Sequence, residues 1–125
     1  MNDNKPHLLN ALIIDDESDI CYLLANILRK KNFSTEIVNT LYAAEQALAK
    51  TLPEIIFLDN HLPDGLGISF IMFIKKKYPS SKIIMITAHD SDIDRNMAIK
   101  EGADYFIGKP FSSAIISATV DKLIY

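Results

Sequence analysis

The chain has 125 residues, 49% of them apolar and 23% charged, with a formal net charge of −3, a balance that fits one soluble globular domain around a single core. No apolar run approaches the roughly 18 residues of a membrane span, no basic excess points to direct nucleic-acid binding, and a lone cysteine, Cys21, excludes an internal disulfide. Met1 to His7 is polar without an apolar signal core, so a cytoplasmic protein with no membrane partner is expected.

In chain order, Leu12 to Ile14 is a short apolar strand that stops at Asp15-Asp16. Ser18 precedes a helix over Ile20 to Lys31, with Ile20, Leu23, Leu24, Ile27 and Leu28 on one face. Thr35 to Val38 reads as a second strand, and Thr40 caps a helix through Lys50. After Pro53, Glu54 to Leu58 forms a third strand that ends at Asp59. His61 to Gly65 is a loop marked by Pro63 and Asp64-Gly65. A third helix runs from Leu66 or Gly67 to Lys77, where Lys75, Lys76 and Lys77 suit the negative end of the helix dipole. Lys82 to Ile86 is a fourth strand ending at Thr87-Ala88. Ser91 opens a fourth helix with Asp94 as capping partner, and Gly102 closes it. Asp104 to Ile107 is a short fifth strand, Gly108-Lys109-Pro110 a loop, and Ser112 to Tyr125 a fifth helix.

Five βα units with short connections fill residues 1–125 as one domain. Strands that are apolar without alternation are buried on both faces, which implies a parallel sheet sandwiched by helices. Right-handed crossovers then give a doubly wound α/β fold.

Ligands of such sheets bind at the carboxyl ends of the strands. That edge collects Asp15 and Asp16 from strand one, Asp59 from strand three, Thr87 from strand four and Lys109 after strand five. Carboxylates held close together repel, and a cation relieves them. Mg²⁺ suits oxygen ligands and phosphate, with Mn²⁺ as a substitute. A carboxylate can also act as a nucleophile toward phosphorus. Lys109 would offset charge on the transferred group and Thr87 would donate a hydrogen bond to it. Each residue alone has a plainer role: Asp15 or Asp16 as a cap, Asp59-Asn60 as a turn, Lys109 in solvent, Thr87 at a strand end. Their common edge sets the combination apart.

These residues resemble the receiver domain of bacterial response regulators over roughly Leu9 to Leu123. The similar segments are Ile13-Ile14-Asp15-Asp16-Glu17, Phe57-Leu58-Asp59-Asn60-His61-Leu62-Pro63-Asp64-Gly65, Ile84-Met85-Ile86-Thr87-Ala88, Gly102-Ala103-Asp104-Tyr105-Phe106 and Gly108-Lys109-Pro110-Phe111. The resemblance implies a flavodoxin-like sheet of order 2-1-3-4-5 with five helices. It implies Asp59 as acceptor of a phosphoryl group from a histidine kinase or phosphotransfer protein. Asp15, Asp16, Asp59 and the His61 backbone carbonyl would hold the metal, with Lys109 and Thr87 as the other catalytic groups. It further implies a cis Lys109-Pro110 bond, a switch through Thr87 and Tyr105, and an output surface over residues 91–125 that reaches a downstream protein or a second copy in a homodimer. The domain would catalyse its own phosphorylation and dephosphorylation rather than turn over a substrate. His61 and His89 would flank the mouth of the site, where the family tunes phosphoryl lifetime; they are either two solvated loop histidines or groups that give dephosphorylation a pH dependence between about 5 and 8, where imidazole titrates.

Three other readings share parts of this pattern. A flavodoxin-type cofactor binder needs donors and small residues where Asp15-Asp16-Glu17 stands. A haloacid-dehalogenase-type phosphatase carries a second aspartate where His61 stands. A receiver-like module that binds partners without phosphorylation would not need Asp15, Asp16, Asp59, Thr87 and Lys109 together.

Overall fold

The structure, a computed structural model, describes residues 8–88 and 91–125. The elements are β1 (Leu9–Ile14), α1 (Ser18–Lys30), β2 (Phe33–Val38), α2 (Leu41–Lys50), β3 (Ile55–Asp59), β4 (His61–Leu62), β5 (Gly65–Leu66), α3 (Ile68–Lys77), β6 (Lys82–Thr87), α4 (Asp92–Glu101), β7 (Tyr105–Gly108) and α5 (Ser113–Ile124). The main sheet has the order β2-β1-β3-β6-β7 and every pairing in it is parallel. With the short β4–β5 ribbon set aside, this is the expected 2-1-3-4-5 arrangement with five helices.

Strand residues alternate between two cores, one on each face of the sheet. Leu12, Ile14, Ile56, Leu58, Ile83 and Met85 pack with Ala44, Leu48, Ile71, Ile74 and Ala98 from α2, α3 and α4. Ala11, Ile13, Ile55, Phe57, Ile84 and Ile86 pack with Leu24, Leu28, Ile116 and Val120 from α1 and α5. The period-two pleat thus sends successive apolar residues into opposite cores, which is why the strands read as continuous apolar runs. Among the described residues, no helix is long and apolar enough to cross a membrane.

The helix ends follow local chemistry. Thr40 accepts a hydrogen bond from Ala43 N at 3.0 Å, Ser91 from Asp94 N at 3.1 Å and Ser112 from Ile115 N at 3.2 Å. Gly102, at φ 122°, lets the chain turn out of α4 while its amide bonds Ala98 and Ile99 carbonyls.

Three local expectations are corrected. β2 begins at Phe33 rather than Thr35, because Phe33 is buried and pairs with Leu9, extending the ladder along all of β1. The segment after Asn60 is a ribbon rather than a plain loop: His61 pairs with Leu66, and Leu62 with Gly65. Helix α1 begins at Ser18 rather than Ile20. The N-cap is Glu17, whose side chain makes no capping bond.

Candidate functional site

Parallel strands place their carboxyl ends on one edge, and the chemistry gathers there. Asp15 is the first residue past β1 and is fully buried. Its amide donates to Val38 O at 3.1 Å, while its carbonyl accepts from Asn39 Nδ2 at 2.9 Å and Cys21 Sγ at 3.3 Å. One carboxylate oxygen, Oδ1, accepts from Glu17 N at 2.9 Å. The other, Oδ2, accepts no hydrogen bond among the described residues. The Lys109 ammonium lies 3.1 Å from it, within charge attraction but outside donor geometry.

Asp59 ends β3 and is 4% exposed. The chain after it is braced on α3: Asn60 Oδ1 accepts from Ile68 N at 2.9 Å and Asn60 O from Gly67 N at 2.7 Å. Helix α3 approaches so closely that a Cβ on Gly67 would lie 2.2 Å from Asp59 O. Only glycine fits there. Asp64, from the turn of the ribbon, accepts from Leu41 N and Tyr42 N at 2.9 and 3.0 Å and ties the ribbon to the start of α2. Those bonds hold the Asp64 carboxyl below its usual range.

Lys109 enters from the loop after β7, where the Lys109-Pro110 peptide bond is cis. Its amide donates to Thr87 O at 2.8 Å, linking the ends of β6 and β7. Its ammonium lies 2.5 Å from Glu17 Oε1, 3.1 Å from Asp15 Oδ2 and 3.5 Å from Asp59 Oδ1. Asp15, Glu17 and Asp59 thus each offer an oxygen within 4.8 Å of the others.

The electrostatics follow from crowding and burial. Desolvation raises the Asp15 pKa against the pull of its bond to Glu17 N and of the nearby Lys109 ammonium. Desolvation, then the charge of Asp15, pushes Asp59 up to about 6, and Lys109 only partly offsets this. Burial by itself would lower the Lys109 pKa, but its bond to Glu17 and the close charges of Asp15 and Asp59 prevail and raise it. Three carboxylates against one ammonium leave a formal excess of two negative charges. That excess, the unsatisfied Asp15 Oδ2 and the all-oxygen donor set fit a hard divalent cation.

The structure brings Asp15, Asp59 and Lys109 together. Thr87 is buried at the end of β6, on the same edge. Asp16 is exposed, and its carboxylate is outside the converging trio; Glu17 stands there instead. His61 is exposed at the start of β4. Tyr105 is partly buried at the start of β7, with Lys122 Nζ 5.7 Å from its ring centre. His89 lies outside the described residues. The sequence reading missed Glu17, Asn39, Asn60 and Asp64 as site supports. Glu17 alone carried a signal, as a third acid directly after the Asp15-Asp16 pair.

Comparisons with known proteins agree with this geometry. The family profile described as the response regulator receiver domain matches residues 11–121. The chain is 35% identical to the response regulator protein PilR of Pseudomonas aeruginosa over 100 residues, which cover 80% of this chain and 22% of PilR. It spans about half or less of the length of the curated relatives it matches. Among solved structures, the beryllofluoride-activated NtrC4 receiver domain dimer superposes with a TM-score of 0.86 at 37% identity, covering 91% of this chain and 94% of that one. A response regulator of Burkholderia pseudomallei, solved with a phosphorylated aspartic acid, calcium ion and citrate, gives 0.81 at 25% identity, covering 91% of this chain and 71% of that one.

Proposed function

The chain belongs to the response regulator receiver domain family, and from that premise we propose that it is an Mg²⁺-dependent phosphoacceptor whose acceptor is Asp59. The observation that carries this reading is the convergence of the Asp15, Glu17 and Asp59 carboxylates on Lys109 at the carboxyl edge of the sheet.

Asp59 is the nucleophile. One of its carboxylate oxygens attacks the phosphorus of a phosphohistidine on a histidine kinase or phosphotransfer protein. The new O–P bond forms as the N–P bond breaks, and the departing imidazole takes a proton from solvent. Ionised Asp59 is required, and burial beside Asp15 works against ionisation. Asp15 and Asp59, with Asp16 and the His61 carbonyl, would hold Mg²⁺ or Mn²⁺; the ion, when bound, would screen negative charge on the reacting oxygens. The phosphorylated aspartate and calcium ion of the Burkholderia pseudomallei relative support both assignments. Lys109 neutralises charge on the acyl phosphate, and the Thr87 hydroxyl donates to one of its oxygens.

The new charge then biases a two-state element. Thr87 is coupled through its carbonyl to the Lys109 amide and through the β6–β7 ladder to Tyr105, which pairs with Ile84. Movement of Thr87 toward the phosphoryl group would draw Tyr105 inward and change the surface formed by residues 91–125. That surface carries Ile93, Met97 and Ile115 exposed, suited to a downstream protein or to a homodimer of the kind named for the NtrC4 receiver.

Incubation with Mg²⁺ and acetyl phosphate, read by intact mass, tests the reading. One added phosphoryl group that needs Mg²⁺ and is lost in Asp59→Asn is the expected result. An adduct that survives in Asp59→Asn would overturn the assignment.

A further inference from the structure

Glu17 is placed oddly for a helix N-cap. Its side chain makes no capping bond to α1. It crosses instead to the loop after β7 and accepts from Lys109 Nζ at 2.5 Å, ninety-two positions along the chain. This is the shortest of the three carboxylate contacts of Lys109. The two partners differ sharply in exposure: the lysine side chain is 8% exposed and the glutamate 59%. The buried ammonium therefore has its tightest partner on the solvent side.

The Glu17 backbone is pinned. Its amide donates to Asp15 Oδ1 at 2.9 Å, and its carbonyl accepts from Cys21 N at 3.1 Å. Release of Lys109 therefore requires movement of the Glu17 side chain alone. The exposed carboxylate pays little to rehydrate, so the contact can exchange readily.

We propose that Glu17 is a positioning residue that holds Lys109 toward the rim and competes with a phosphoryl group on Asp59 for the Lys109 ammonium. The proposal rests on the phosphoacceptor reading above. A phosphoryl group adds roughly one and a half to two negative charges. Lys109 meets that charge fully only when it gives up Glu17, and the freed carboxylate then stands near a like charge. Both effects weaken the phosphoryl-bearing state. Glu17 thereby sets how readily the site fills and how easily it empties.

The test is Glu17→Gln, with Asp19→Asn as a control for loss of one acid from the first turn of α1. Beryllofluoride, a stable phosphoryl mimic, is titrated at fixed Mg²⁺ and followed by amide NMR. In parallel, the rate of phosphorylation is measured against acetyl phosphate concentration. Glu17→Gln is expected to bind beryllofluoride about three- to tenfold tighter, the scale of one partly screened charge contact. The half-saturating acetyl phosphate should fall by the same factor with little change in maximal rate, and the gap should narrow as salt rises. Asp19→Asn should move either value less than about twofold. Glu17→Ser, which supplies α1 with a capping hydroxyl, carries the same expectation and serves if Glu17→Gln folds poorly. Unchanged or weaker binding in both Glu17 variants, or a raised Mg²⁺ requirement, overturns the proposal, because Glu17 would then support the site instead of competing within it. If the unsubstituted protein takes neither beryllofluoride nor phosphoryl, the phosphoacceptor reading itself falls and this proposal with it.

Discussion

Asp59→Asn should make the cation-free protein more stable at neutral pH, although it removes the group that defines the site. The side chain is 4% exposed, and burial beside Asp15 raises its pKa from 3.8 to about 6. A shift of about two units corresponds to roughly 3 kcal/mol of penalty on the ionised form. The attraction of Lys109, 3.5 Å away, is already inside that net value. An amide of the same shape removes the penalty but satisfies its own hydrogen bonds imperfectly, which returns roughly 1–2 kcal/mol. A gain of about 1–2 kcal/mol is expected in chelator at pH 7.5, read as a higher urea midpoint at unchanged slope. The sign of the pH dependence follows from the raised pKa. Between pH 3.8 and about 6 the folded protein binds more protons at Asp59 than the unfolded chain, so stability of the unsubstituted protein falls as pH rises through that window. Below it Asp59 is protonated in both states and the advantage of the variant should disappear. Mg²⁺ should narrow the gap at pH 7.5, because an ion held by the native carboxylates stabilises the unsubstituted protein by mass action. A variant less stable than the unsubstituted protein in chelator at pH 7.5, or a difference that stays flat down to pH 4, would refute the reasoning.

Two further substitutions probe the scaffold. Gly67→Ala places a Cβ 2.2 Å from Asp59 O, so the start of α3 must shift from the acceptor strand. A loss of about 2 kcal/mol or more is expected by urea unfolding, and an unchanged midpoint would show that the close approach has slack. Asp104 accepts from Ile83 N and pairs with Lys75, both at 2.8 Å, and all the side chains concerned are about a quarter exposed or less. Asp104→Asn and Lys75→Met should each cost about 1 kcal/mol. The double variant should cost less than their sum, and strict additivity would deny the coupling.

The alternation of strand and helix was legible because both cores are filled by apolar runs, and Thr40, Ser91, Gly102 and Ser112 end helices by chemistry that depends on near neighbours alone. Phe33 was missed because its strand character comes from pairing with Leu9, a partner 24 positions away. The ribbon was missed for a different reason. Two residue pairs, His61 with Leu66 and Leu62 with Gly65, leave too short a pattern to show alternation. The main site residues could be read because each ends a strand or directly follows one, and parallel topology sends all such positions to one edge. Side-chain reach could not be read that way. Asp16 sits next to Asp15 in sequence yet faces solvent, while Glu17, one residue farther and one methylene longer, reaches Lys109. Asp64 and Asn60 look like turn residues, and only the packing of α2 and α3 shows that they brace the acceptor loop.

Whether an acyl phosphate forms on Asp59 is tested most directly by trapping it. The protein is treated with acetyl phosphate and Mg²⁺, reduced with borohydride, digested and sequenced by mass spectrometry, since borohydride converts an aspartyl phosphate to homoserine. Homoserine at position 59 and at no other aspartate, absent when Mg²⁺ is chelated, is the predicted result. Homoserine at Asp15 or Asp16 with Asp59 intact would contradict it.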